Sequence, residues 1–235
     1  MLFVRSLLFV VLFYLWWTFV ALASLPFLLL PRRWIVGPMR FQAHVVVFLL
    51  RLATGIHVEF RGLEHRPMGA ALIGAKHQCM FDTIAPLTVL PDGAYVMRDT
   101  LLKIPFYGWL SVKAEMIPID RQGHASALRR MLAAAKAAIA KDRQVVIFPE
   151  GTRLPVGATG EYKPGVAALY KALGVPCVPL ATNSGAHWPP HGLIRRPGLI
   201  VYEFMEPIPP GLDRREFMRL LEERVEAGSK ALIGL

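Results

Sequence analysis

The first third of the chain has one dominant pattern, an apolar run without charge. No charged side chain occurs from Ser6 to Leu30. As a helix these residues would span about 37 Å at 1.5 Å per residue, more than the ~30 Å of a hydrocarbon core. Pro26 should kink or end the helix, and Leu30-Pro31-Arg32-Arg33 switches abruptly to basic. A cleaved leader would use Ala21-Leu22-Ala23, but the apolar run continues past it. A second apolar stretch, Val45 to Leu50, lies between Arg40 and Arg51. It is too short to span and is expected as an interfacial helix. Whether the two segments form one full span plus an interfacial helix or a re-entrant hairpin stays open at this level. The basic residues after the run place the rest of the chain in the cytoplasm by the positive-inside bias.

From residue 56 short β-rich runs alternate with helical ones. Strands are expected at 56–61, 70–76, 94–98, 114–119, 144–148, 177–182 and 199–204, and helices at 83–90, 124–141, 164–173 and 213–231. Helix 124–141 carries Leu128, Met131, Leu132, Ala135 and Ile139 on one face. Helix 213–231 carries Phe217, Leu220, Leu221 and Val225. The alternation argues an α/β fold. Its mostly parallel mixed sheet of about seven strands is flanked by helices, behind an N-terminal hydrophobic anchoring helix or helical hairpin. The expected division is a membrane-anchoring segment, 1–54, and an α/β domain, 55–235.

Composition sharpens this. The chain is 54% hydrophobic yet carries a net charge of +10. Apolar surface in lipid and basic surface against anionic headgroups reconcile the two. Lys and Arg are scattered rather than interleaved with aromatics, which argues against nucleic acid. Cys79 and Cys177 are far apart, which fits two free thiols rather than a disulfide or zinc site.

Ligands in open α/β sheets bind beyond the carboxyl ends of strands. Four expected strands end in reactive or polar residues there: His77 through Asp82, Asp120-Arg121, Pro149 through Arg153, and Asn183-Ser184-Gly185. His77 suits proton transfer near neutral pH. Asp82, five residues on, either folds back onto its imidazole or caps helix 83–90. Gly151 permits close backbone approach, and Arg153 offers a planar fork for phosphate. Arg121 is either a second cationic arm or the ion-pair partner of Asp120 or Glu115. Glu150 and Arg153 are either substrate ligands or a pair bracing a turn.

These residues resemble the lysophosphatidic acid acyltransferases of the glycerolipid acyltransferase superfamily. Lys76-His77-Gln78-Cys79-Met80-Phe81-Asp82 is similar to the first family motif, a histidine and an aspartate separated by four residues. Ile117-Pro118-Ile119-Asp120-Arg121 resembles the second, Phe148-Pro149-Glu150-Gly151-Thr152-Arg153 the third, and Val178-Pro179-Leu180-Ala181 the fourth. The resemblance implies that His77 deprotonates an acceptor hydroxyl while Asp82 orients it, and that the alkoxide attacks an acyl thioester. Arg121 and Arg153 would hold the acceptor phosphate, with Glu150, Gly151 and Thr152 about its glycerol. No metal or other cofactor is implied, since the donor, acyl-CoA or acyl carrier protein, is itself a substrate. The implied partners are a lysophospholipid, the acyl thioester and membrane lipids, with acyl carrier protein as a candidate donor and no nucleic acid. The implied place is a bacterial inner membrane.

One departure is Cys79, where the family often has serine. It is expected to be a small, partly buried substitute rather than a covalent nucleophile. Lys103 through Trp109 either lines the site, with Lys103 on an anion, or touches lipid. His187 and His191 flank two prolines and cannot share a helix face as a metal pair, so a surface loop is expected. Competing functions are acylation of another lysolipid, such as lyso-ornithine lipid, and non-catalytic binding of anionic lipid.

Overall fold

The computed structural model describes residues 1–120 and 123–234. The apolar N-terminus forms helix α1 (Leu2–Ala23), which stops short of Pro26. A 3-10 turn, Leu25–Leu28, takes Pro26 in its first turn, where a missing N–H costs nothing. Helix α2 (Arg33–Thr54) returns antiparallel against α1. The expected short interfacial helix is therefore only the second half of a 22-residue one. Pro38 sits in the second turn, and Arg40 and Arg51 lie within the helix instead of bounding it. Ile35, Ala43, Val46, Leu50 and Ala53 form its buried stripe, and Gly55, in the left-handed region at φ 76°, ends it.

Both ends of this hairpin are tied down. At its turn, Arg32 pairs with Asp92 at 2.5 Å and donates to the Ala114 carbonyl. Arg143 approaches the same Asp92 oxygen at 3.1 Å. At the open end, Arg5 donates to the Ala53 carbonyl and the Ser6 hydroxyl accepts from the Arg195 N–H. The hairpin thus lies along the body of the protein. Its outward side leaves Val11, Leu15, Phe19 and Leu22 of α1 and Phe41 and Phe48 of α2 exposed.

Seven strands form one sheet: β1 (Ile56–Arg61), β2 (Ala71–Ala75), β3 (Gly93–Arg98), β4 (Ile117–Ile119), β5 (Gln144–Ile147), β6 (Cys177–Thr182) and β7 (Gly198–Phe204). The order is β1-β7-β6-β2-β5-β3-β4. Strands β2 to β6 run parallel, β7 is antiparallel to β6, and β1 is parallel to β7. The carboxyl ends of β2, β4, β5 and β6 therefore share one edge.

Helices α4 (His124–Ile139), α5 (Gly165–Leu173) and α7 (Arg214–Ala231) pack on one face. Met131 and Ala135 of α4 and Phe217, Leu221 and Val225 of α7 meet Leu72, Val145 and Cys177 there. The alternating residues Ile73, Ala75, Val146 and Val178 point the other way. They meet Phe81, Trp188 and, from the hairpin, Phe9, Phe13, Val46 and Leu50.

Beyond the hairpin, two more expected elements differ. The helix at 83–90 is replaced by two 3-10 turns, Met80–Thr83 and Ala85–Thr88. Pro86 cannot donate, and the hydroxyls of Thr83 and Thr88 bond back to the carbonyls of Met80 and Ala85 at 2.8 and 2.7 Å, in competition with an α ladder. The strand at 114–119 shrinks to three residues, because a short helix, α3 (Tyr107–Lys113), ends at Ala114 and Glu115 turns through φ 52°.

Gly62, at φ 61°, follows β1 directly, and a Cβ there would lie 1.9 Å from the Phe204 carbonyl of β7. Gly62→Ala is expected to destabilise the protein by at least about 2 kcal/mol, through left-handed strain plus a backbone clash. Denaturant melts in detergent micelles measure this, and an unchanged midpoint would refute it.

Candidate active site

Strand β2 delivers two adjacent residues to opposite faces, as its period of two requires. Lys76 turns into the α7 side and is buried, while His77 emerges on the hairpin side. The chain then tightens into the Met80–Thr83 turn, which carries Asp82 back toward His77. The His77 Nδ1 to Asp82 Oδ2 distance is 3.1 Å. With Nδ1–H donating to the carboxylate, the Nε2 lone pair stays available for a proton. The imidazole stacks on Phe148, ring centroids 4.0 Å apart, which limits its rotation.

Asp82 folds back as one reading of its position allowed, and with helix 83–90 absent it caps only the turn it sits in. It helps cap the turn and it meets His77. Oδ2 also accepts the N–H groups of Gln78 and Cys79 at 2.7 and 2.8 Å. Oδ1 accepts the hydroxyls of Ser184 at 2.5 Å and Tyr202 at 2.9 Å, and the Cys79 thiol at 3.6 Å. Burial alone would raise this carboxyl's pKa. His77, the Cys79 N–H and the Ser184 hydroxyl outweigh that and hold it below the usual carboxylate range. Its contribution to stability is therefore complete above its unfolded pKa and is lost as pH falls through the lower folded value.

Ser184 and Tyr202 were not singled out as partners of Asp82. Ser184 belonged to a noted polar strand end, but nothing local ties Tyr202 of β7 to a residue 120 positions earlier. The antiparallel register Thr182↔Tyr202 brings it there. Asn183 secures the same corner, accepting from the Val201 N–H and donating to the Leu199 and Leu232 carbonyls.

The 148–154 segment after β5 clamps His77 from both sides. Glu150 Oε2 accepts the His77 N–H at 3.0 Å, and the Leu154 N–H donates to the His77 carbonyl at 2.9 Å. The other Glu150 oxygen binds Lys76 at 2.6 Å, and the side chain is fully buried. Glu150 thus braces the His77 turn through its main chain, where the resemblance implied a ligand for glycerol. It does not pair with Arg153. Gly151 turns at φ 67°, and Thr152 and Arg153 stand exposed on the rim of the clamp. Arg153 has no ion pair among the described residues, and its neighbour Leu154 touches His77 directly. The main chain next to Arg153 is thereby held against that of His77.

Two candidates remain, Arg121 and Lys103. Arg121 falls outside the described residues. Lys103 closes a 3-10 turn, Asp99–Lys103, and is exposed. The segment after it turns to the hairpin: Tyr107 lies against Trp17 with centroids 5.4 Å apart, and Ile104, Trp109 and Val112 are exposed. That placement fits contact with lipid.

Cys79 is buried, and burial beside the Asp82 charge pushes its thiol pKa well up, which disfavours a thiolate nucleophile. His187 ends a short helix, α6 (Ser184–His187), and Trp188 is buried, stacked on Phe81 at 5.5 Å with Arg195 over its ring at 4.3 Å. The segment expected to be a surface loop is thus partly core.

Comparison with known proteins identifies the family and the fold. An acyltransferase family model matches residues 57–183, which contain His77, Asp82 and the 148–154 clamp. The 1-acyl-sn-glycerol-3-phosphate acyltransferase of Pseudomonas aeruginosa is 36% identical over 154 residues, covering 66% of this chain and 60% of that protein. The 1-acyl-sn-glycerol-3-phosphate acyltransferase alpha of Mus musculus is 32% identical over 132 residues, 55% of this chain and 46% of its own. The matches thus span less than two thirds of these relatives. The crystal structure of the 1-acyl-sn-glycerophosphate (LPA) acyltransferase PlsC from Thermotoga maritima shares the fold, with a TM-score of 0.80 over 100% of both chains at 24% identity. With a family model covering more than half its length, this chain belongs to the acyltransferase family.

Proposed function

We propose that the protein transfers a fatty acyl group from acyl-CoA or acyl carrier protein to the sn-2 hydroxyl of lysophosphatidic acid, giving phosphatidic acid. The observation that carries this is the 3.1 Å pairing of His77 Nδ1 with a saturated, buried carboxylate; the segment that clamps His77 also carries Arg153, exposed and without an ion pair among the described residues. The names of the relatives support the same reaction.

In this mechanism Nε2 of His77 takes the acceptor's hydroxyl proton as that oxygen attacks the thioester carbonyl. Asp82 stabilises the imidazolium. The tetrahedral adduct collapses by breaking the C–S bond, and the departing sulfur takes the proton back from Nε2, leaving ester and free thiol. Neither a covalent acyl-enzyme nor Cys79 is needed. Arg153 binds the acceptor phosphate through its guanidinium fork, together with Arg121. Gly151 and Thr152 border the glycerol, and Lys103 serves the lipid-facing side rather than the phosphate.

Residues 1–54 act as the membrane-anchoring part and 55–235 as the catalytic part. A hairpin bonded to the catalytic body at both its turn and its open end has no room for a bilayer between them. The exposed apolar side of α1 and α2 therefore enters one leaflet lengthwise. The catalytic part then faces the same side as the hairpin, the cytoplasmic face of a bacterial inner membrane.

The deciding assay presents lysophosphatidic acid and palmitoyl-CoA to the purified protein in mixed micelles and identifies the product. His77→Ala should lower kcat by about 10²–10⁴-fold, the usual worth of a general base, while vesicle binding persists. Full activity of that variant would sink the mechanism. Arg153→Ala should raise the acceptor KM by about tenfold, the loss of a charge-assisted contact, with the donor KM nearly unchanged. A larger effect on the donor, or a preference for lysolipids without phosphate, would overturn the acceptor assignment.

A further inference from the structure

Behind His77 lies a charged cluster that the mechanism above leaves unused. The Lys76 ammonium is 1% exposed and donates to Glu150 Oε1 at 2.6 Å, the Ala158 carbonyl at 3.1 Å, and both oxygens of Glu226 at 2.7 and 2.8 Å. Glu226 projects from α7 and also accepts the Tyr162 hydroxyl at 3.0 Å. One cation therefore faces two carboxylates in a closed space. Apolar side chains of similar volume would pack there at lower desolvation cost.

The cluster's geometry links it to the active site. Glu150 is shared, one oxygen on Lys76 and the other on the His77 N–H. A continuous chain of contacts runs from α7 through Glu226, Lys76 and Glu150 to the main chain of the general base. The ladder of β2 ends just before this point, with the Lys76 N–H on the Leu180 carbonyl. From His77 onward, Glu150 and Leu154 hold the backbone.

We infer that Lys76 and Glu226 are positioning residues for acyl transfer: Lys76, braced from the C-terminal helix by Glu226, keeps Glu150 aimed at the His77 N–H and so keeps the imidazole in register with Asp82. This rests on the acyl-transfer function proposed above. The groups facing Glu150 are Lys76 on β2's end, Glu226 on α7 and Tyr162 on the intervening loop, with Glu222 of α7 beyond. Burial raises the Glu150 carboxyl's pKa and Glu226 adds to this, while Lys76 opposes both. Without Lys76, Glu150 takes up a proton at higher pH and becomes a weaker acceptor for His77.

The test is the pH profile of kcat for the full-length protein in mixed micelles, with lysophosphatidic acid and palmitoyl-CoA. Lys76→Met should move the acid limb up by at least about one pH unit, a tenfold loss at a fixed pH on the limb that alkaline buffer recovers. KM for both substrates should stay within about threefold, because neither substrate touches the cluster. Adding Glu226→Gln to Lys76→Met removes the second carboxylate and should return the limb part of the way. A loss equal at every pH, or a double variant worse than the single one, would mean mere structural damage and overturn the inference. Should Lys76→Met fail to fold, Glu226→Ala is read instead. It should lower kcat with both KM values kept and Glu226→Gln should recover most of the loss, whereas an unchanged kcat overturns the inference. A wild-type protein that consumes no thioester would refute the acyl-transfer function itself.

Discussion

A carboxylate withdrawn from water must find its full complement of donors inside the protein, and Asp82 imposes that demand here. Two main-chain N–H groups, an imidazole, two hydroxyls and a thiol converge on its two oxygens. Meeting the demand draws together the turn after β2, the strand end after β6 and the middle of β7. The antiparallel entry of β7 beside β6 is what places a tyrosine hydroxyl within reach. Removing any one donor would leave a buried charge short of partners, which typically costs more than an average hydrogen bond contributes.

Much of the fold was legible in the chain because it is periodic. Short β-rich runs marked all seven strands, and helical spacing marked the apolar faces of α4 and α7. Errors fell where local chemistry overrides the pattern. Pro86 and two back-bonding threonines broke the stretch after Asp82 into 3-10 turns. The left-handed Glu115 cut β4 short. The second helix was underestimated because Arg40 and Arg51 read as bounds of the apolar stretch, whereas a helix packed on the body carries both within it.

The site was legible in part. Residues close in sequence to the strand ends, such as His77, Asp82 and Arg153, stood out because chemistry concentrates there. Tyr202, Lys76 and Glu226 did not, because their meaning comes from packing across the sheet and against α7. Glu150 shows the limit most plainly. Its motif carries no sign of whether the carboxylate looks outward at a ligand or inward at a lysine. The lysine decides it, by offering a charge at 2.6 Å in a place water does not reach.

The aromatic column at the other side of the site links two properties usually measured separately. Phe9 of α1 meets Trp188 edge-on at 5.3 Å, and Trp188 lies flat on Phe81, the immediate neighbour of Asp82. Under the lengthwise insertion proposed above, lipid tails pressing on the outer side of α1 would bear, through two rings, on the segment that carries Asp82. On the proposed mechanism the choice of amphiphile would then be a kinetic variable: one that loosens the first helix from the body would slacken the contact between Asp82 and His77 as well, even with the protein still in solution.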